Sequence, residues 1–186
     1  LSDYIGAAVD LETTGLLAGV HEIAELTVLL HDDSFKPLDR FHTQIRPMRP
    51  EIAEPDALIK NGLKLHELKE AATPPQVRNA FFQWHQEVAE GKKLFPLGHN
   101  YGSFDKGFLR AFLGDYYDDY FHYKNRDTFS LAQGLKDSGL LELDQSLSLE
   151  NLCEHFKVPH VSHRSHGDAI ATLMLYRKLI NLIKGD

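Results

Sequence analysis

Tyr4 to Val9 is an unbroken run of small and apolar residues that ends in Asp10-Leu11-Glu12, and Thr13-Thr14-Gly15 then interrupts it. The pattern predicts a central strand buried on both faces. Glu25 to His31 and Pro37 to Ile45 are two further strands. In the second of these, Arg40, His42 and Gln44 alternate with Phe41, Thr43 and Ile45, as one exposed face requires. Asp32-Asp33-Ser34 between them predicts a hairpin or meander. The stretch from Arg46 to Thr73 is rich in proline and charge, with short helices around Asp56 to Lys60 and Leu65 to Ala71. From Pro75, Val77, Phe81, Trp84 and Val88 recur at helical spacing until Gly91 stops them. Leu94 to Gly98 is a fourth strand, and Phe104, Phe108, Ala111 and Phe112 mark a helix to Leu113. A strand near Tyr123 to Asp127 and a helix from Phe129 to Lys136 follow, then a short helix from Ser148, its N-cap, to Phe156. The last helix runs from Gly167 to Ile183, with Ala169, Leu173, Tyr176, Ile180 and Ile183 on one stripe. Three strands followed by strands alternating with helices describe one α/β domain with a mixed sheet over residues 1–186.

Composition narrows the classes. At 186 residues, with 42% hydrophobic and 25% charged residues, the chain has the balance of a globular domain and not of a disordered or coiled-coil one. The longest apolar stretch, Ala169 to Ile183, is broken by Arg177 and Lys178, so no membrane span is expected. No basic segment leads into an apolar core at the start, and Leu1 in place of Met suggests trimming. Cys153 is the single cysteine, which forbids an internal disulfide and points to a reducing cytoplasm. A net charge of −7 argues against bulk electrostatic attraction of nucleic acid unless the acids are themselves neutralised at a site.

Asp10 and Glu12, two residues apart on a strand, project from one face at its carboxyl end. Ligands of open α/β sheets bind at such strand ends, and paired carboxylates repel unless a cation joins them. Hard divalent cations such as Mg²⁺ prefer these oxygen donors. A solvated acidic turn is the plain alternative. Asp105 and Asp168 each stand at the head of a helix, where an acid is also explained by the macrodipole. Four acids at the ends of different elements, with a histidine five positions before the last, make a more specific pattern than any one of them.

Val9 to Leu16 (VDLETTGL), His99 to Leu109 (HNYGSFDKGFL) and His163 to Ala169 (HRSHGDA) resemble, in order, the three motifs of the DEDDh exonucleases. These are the 3′-to-5′ exonucleases related to the proofreading epsilon subunit of bacterial DNA polymerase III. Asn61-Gly62-Leu63 and Arg126-Asp127-Thr128 also resemble family segments, and the likeness spans about residues 4–184. The resemblance implies an RNase H-like fold with a five-stranded mixed sheet flanked by helices. It further implies metal ligation by Asp10, Glu12, Asp105 and Asp168, and His163 as general base. By the same resemblance, the backbone of Thr13 and Thr14, together with Leu16, contacts the terminal sugar and wedges against the last bases, with Asn100 and Phe104 as further strand contacts. Leu17-Ala18-Gly19-Val20 replaces the Asp or Pro that relatives often carry there.

Phosphodiester hydrolysis needs charge stabilised on the attacking and leaving oxygens, which two Mg²⁺ ions, or Mn²⁺ in their place, provide. Four carboxylates balance two such ions, so the acidic composition ceases to oppose a nucleic-acid substrate. The implied activity is removal of 5′-mononucleotides from the 3′ end of single-stranded DNA or RNA; the compact length leaves little room for a polymerase-binding domain, although a short lost tail could serve a polymerase or repair partner. Lys106, Arg110 and Arg164 are candidate phosphate guides. Two rival readings remain: a zinc-dependent hydrolase using His160, His163 and His166, and a binding module of the same fold without turnover.

Overall fold

A computed structural model gives the architecture and describes residues 3–160 and 164–185. Strand β1 (Tyr4–Thr13) is central, pairing antiparallel with β2 (Ile23–His31) and parallel with β4 (Lys93–Gly98). Strand β3 (Pro37–Gln44) continues the meander beyond β2, and β5 (Arg126–Asp127) lies beside β4. The order β3-β2-β1-β4-β5 is the expected five-stranded mixed sheet.

Alternation along β1 sorts its side chains. Ala7, Val9 and Leu11 face a core that includes Phe81 of α3 (Pro74–Val88) and Phe108 and Leu109 of α4 (Asp105–Leu113), the latter after α1 (Pro55–Asn61) and α2 (Leu65–Leu68). Ala8 faces the other side, packed with Leu29, Leu97 and Leu173. Leu173 belongs to α8 (Ser165–Lys184), which covers that face. By the two-residue period of a strand, Asp10 and Glu12 follow Ala8 onto the α8 face. A third cluster joins α6 (Thr128–Asp137), α7 (Leu149–His155) and α8 through Ala132, Leu152, Cys153 and Leu175.

Several boundaries move from the sequence expectation. Strand β1 carries Asp10 and Glu12 at its carboxyl end as expected and closes one residue later at Thr13, with Glu12 paired to Glu25 of β2. Strand β5 shrinks to two residues. His122 still donates its N–H to the Leu94 carbonyl, but Tyr123 to Asn125 leave the sheet before Arg126 rejoins it. Helix α2 closes after one turn, and the short helix α5 (Tyr117–Tyr120) carries no periodic signal long enough to read. Helix α3 starts at Pro74, set by Thr73 and Gln76 in a capping box, and α7 is capped by the Ser148 hydroxyl accepting from the Asn151 N–H at 3.2 Å. Among the described residues, no helix is long and apolar enough to cross a membrane.

Candidate active site

The carboxyl end of β1 and the first turns of α8 meet on one face of the sheet. One carboxylate oxygen from each of Asp10, Glu12 and Asp168 lies within 4.8 Å of the others. The three line a cavity of about 380 Å³, whose wall also includes Thr13, Leu16, Asn100 and Phe104. Asp105 stands outside that trio in the first turn of α4, buried, with its charge acting directly on Asp10.

The electrostatics of these acids are unfavourable without a counter-charge. Burial, followed by repulsion from Asp105, Asp168, Glu12 and Glu25, raises the Asp10 carboxyl well above the usual range. Glu12 is pushed up to about 8, first by burial and then by Asp168 and Glu25, while Lys60 acts the other way. Asp105 is likewise pushed up to about 8, mainly by burial, against a hydrogen bond from its own backbone. For Asp10 and Glu12 burial is compounded by the neighbouring carboxylates, whereas at Asp105 burial dominates and Asp127 adds to it. The chemistry of the donor set, hard oxygens with no thiolate, fits a hard divalent cation.

The rest of the wall is held from behind. Asn61 Nδ2 donates to the Thr13 carbonyl at 3.0 Å, fixing the strand end from α1. The Thr13 hydroxyl donates to the Gly15 carbonyl at 2.7 Å. Gly15 is obligatory here, because a Cβ would stand 2.5 Å from the His21 ring. Thr14 is turned inward, its fully buried hydroxyl accepting from the Glu22 N–H at 2.9 Å, and its side chain is not part of the cavity wall. Leu16 is 69% exposed and presents an apolar side chain to the cavity. Phe104 is the N-cap residue of α4, half-buried against Phe108 at 4.9 Å between ring centroids, with one side on the cavity. Asn100 holds a left-handed backbone at φ 68°, which places it at the mouth of the same cavity.

The histidines separate. His160 sets Nε2 2.5 Å from Asp168 Oδ1 and lines the cavity. His166 faces away toward β3, hydrogen-bonded to Arg40 at 2.6 Å and packed against the His42 ring at 5.5 Å. His160 and His166 therefore have different surroundings, and no three-histidine cluster occurs among the described residues. His163 lies outside the described residues.

Three contributors escaped the sequence reading. Glu25, 1% exposed and opposite Glu12 in register, accepts from both the Ser165 N–H and hydroxyl at 3.0 Å. It thereby anchors the start of α8, which is why that helix begins two residues before Gly167. A glutamate inside the otherwise apolar run ELTVLLH was the available signal. His99, whose Nδ1 shares a hydrogen bond with the Thr128 hydroxyl at 2.8 Å, lines the cavity, and burial lowers its pKa. Lys60 is the one lysine or arginine on the wall among the described residues, and nothing in the α1 pattern marked it.

Residues 7–176 match the family model of the RNase_T exonucleases. The chain belongs to that exonuclease family. Solved structures agree in fold. Exonuclease I of Methylocaldum szegediense is 19% identical with a TM-score of 0.74, over 98% of this chain and 42% of that one. Escherichia coli exonuclease I in complex with a dT13 oligonucleotide is 19% identical with a TM-score of 0.71, over 96% of this chain and 40% of that one. Cell-death related nuclease 4 is 15% identical with a TM-score of 0.71, over 98% of this chain and 66% of that one. The exonuclease chain thus spans about 40% of the length of the exonuclease I proteins it resembles. Comparison with curated protein sequences finds no match.

Proposed function

We propose that this exonuclease removes 5′-mononucleotides from the 3′ end of a single strand, with Asp10, Glu12, Asp105 and Asp168 holding two Mg²⁺ ions. The observation that carries the reading is the convergence of the Asp10, Glu12 and Asp168 carboxylates on one point, with buried Asp105 adding to their repulsion. The chemistry supplied by two bound divalent ions is neutralisation of charge on the attacking and leaving oxygens.

The chain's own residues do the remainder. Leu16 and Phe104 offer apolar surfaces on the cavity wall to the terminal base, which accounts for the exposure of Leu16. Thr13 and Asn100 hold the sugar, and the Asn61 bond to the Thr13 carbonyl keeps that strand end from drifting. Thr14 contributes through its backbone, since its side chain serves the loop. Lys60, on the same cavity wall and near enough for its charge to act on Glu12, attracts the phosphate. His163 takes the proton from the attacking water, a task suited to an imidazole near neutral pH. The dT13 complex of exonuclease I supports a single-stranded substrate by analogy of fold.

Hydrolysis is expected to require Mg²⁺ or Mn²⁺ and to cease in EDTA. Ca²⁺ should permit strand binding while supporting little turnover, because its coordination is looser. A digestion of labelled single-stranded DNA and RNA across these metals tests the reading. Full turnover after chelation and dialysis would contradict it.

A further inference from the structure

The rings beside the β5 edge form a ladder that the core does not require. Tyr4 packs at a tilt against Phe95 at 5.0 Å and against His122 at 5.5 Å, and His122 stacks on Phe95 at 4.8 Å. His122 then meets Tyr123 at 4.6 Å. The ladder ends in two exposed tyrosines, Tyr123 at 66% and Tyr4 at 42%. Cations accompany it. Lys124 Nζ stands 5.4 Å from the Tyr123 ring centroid, and the Arg126 guanidinium lies 4.7 Å from the Phe95 centroid. Lys106 reaches the Tyr123 carbonyl at 3.2 Å. Neither Lys106 nor Lys124 has an ion-pair partner among the described residues, in a chain of net charge −7.

Lys106 and Asn125 connect the ladder to the loop beside the active site. Lys106 is the second residue of α4, next to Asp105, and the loop of Asn100 and Phe104 that walls the cavity lies between. The Asn125 side chain approaches that loop at Gly102, where a Cβ would stand 3.7 Å from its Oδ1. At the far end Tyr4 begins β1, roughly 20 Å along the strand from Asp10 at about 3.3 Å per residue. Exposed aromatic rings interleaved with unpaired cations and leading away from a catalytic pocket have the chemistry that holds single strands: bases stack on rings while cations follow the phosphates.

We propose that Tyr123, His122 and Tyr4, with Lys106 and Lys124, form a stacking platform for the nucleotides upstream of the terminal one. The proposal rests on the exonuclease reading, since it is the single strand entering the cavity that crosses the platform. The platform lies outside the reacting pocket, so it acts on long strands and not on a dinucleotide.

Fluorescence anisotropy of a 5′-labelled strand of about twelve nucleotides, with Ca²⁺ in place of Mg²⁺, is compared with Mg²⁺-dependent hydrolysis of a dinucleotide. Tyr123→Ala should weaken long-strand binding by about 5-fold or more, as loss of one stacked base contact does. Tyr123→Phe should restore it, and Lys124→Gln should flatten the salt dependence of binding. Dinucleotide hydrolysis by Tyr123→Ala should stay within about 2-fold of wild type, as expected for a residue outside the pocket. Equal long-strand binding by wild type and Tyr123→Ala, with dinucleotide hydrolysis intact, overturns the platform alone. If wild type neither binds the long strand nor hydrolyses the dinucleotide, the exonuclease reading fails and the platform with it.

Discussion

Asp10→Asn is expected to lower hydrolysis by about 10³-fold or more while raising the melting temperature of the metal-free protein at pH 8. The loss follows from removing a carboxylate that helps stabilise several kcal/mol of transition-state charge. The gain follows from the repulsion at the same residue. Half-buried Asp10 is surrounded by Asp105, Asp168, Glu12 and Glu25, all of which oppose its ionisation. Where folding raises a carboxyl's pKa, its protonated form carries no penalty below the unfolded value, and the penalty is complete above the folded one. For Glu12 that window runs from 4.5 to about 8, and for Asp105 from 3.8 to about 8. Metal-free protein therefore loses stability through this site as pH rises across the window. Buried His31 and His85 and half-buried His99, whose pKa values are lowered, work in the opposite sense, gaining stability as pH rises from their folded values up to the unfolded value of 6.5. The informative quantity is consequently the difference between Mg²⁺ and EDTA at one pH. That difference should grow from pH 6 to pH 8 in wild type and grow less in Asp10→Asn, where Glu12 and Asp105 alone remain raised. Each kcal/mol recovered corresponds to roughly 2–4 °C for a chain of this size, well within reach of calorimetry. A melting temperature that falls on Asp10→Asn substitution in EDTA would show that the carboxylates are not in mutual repulsion.

His163→Ala should reduce turnover by about 10²- to 10⁴-fold, the usual cost of a lost general base, with strand binding in Ca²⁺ preserved. A base must be neutral to accept a proton, so the wild-type rate should rise through a pKa of roughly 6.5 and the variant should lose that step. The comparison belongs at saturating Mg²⁺, because protons also compete for the raised carboxyls of Asp10, Glu12 and Asp105. His160→Ala and His166→Ala should stay within a few-fold of wild type. For His166 the surroundings support this, since its partners are Arg40 and His42 on the β3 side. His160 is the sharper control, because it stands 2.5 Å from Asp168 yet lies eight residues before it. If His160→Ala alone removed the pH step, the base would have to be reassigned.

Much of this arrangement could be read from the chain because its signals are local. A strand running into two acids at a spacing of two places both on one face, whatever the rest of the fold does. The order of strands and helices likewise followed from short-range periodicity. The residues that escaped are those whose roles arise between elements. Glu25 matters because β2 lies antiparallel to β1 and brings it opposite Glu12, and because α8 begins over it. The Thr14 hydroxyl is engaged by the Glu22 N–H at the end of the following loop, a contact no local pattern shows. Strand β5 looked longer because Tyr123 has high strand propensity, whereas the backbone there turns outward and leaves its ring exposed.

The most direct measurement is a time course on one single strand labelled at its 3′-terminal nucleotide, run beside a closed circle of the same sequence. A metal-dependent 3′-to-5′ exonuclease releases the label first, as a 5′-mononucleotide, and leaves the circle intact. Release of the label only after internal fragments appear, or rapid cutting of the circle, would contradict the assignment.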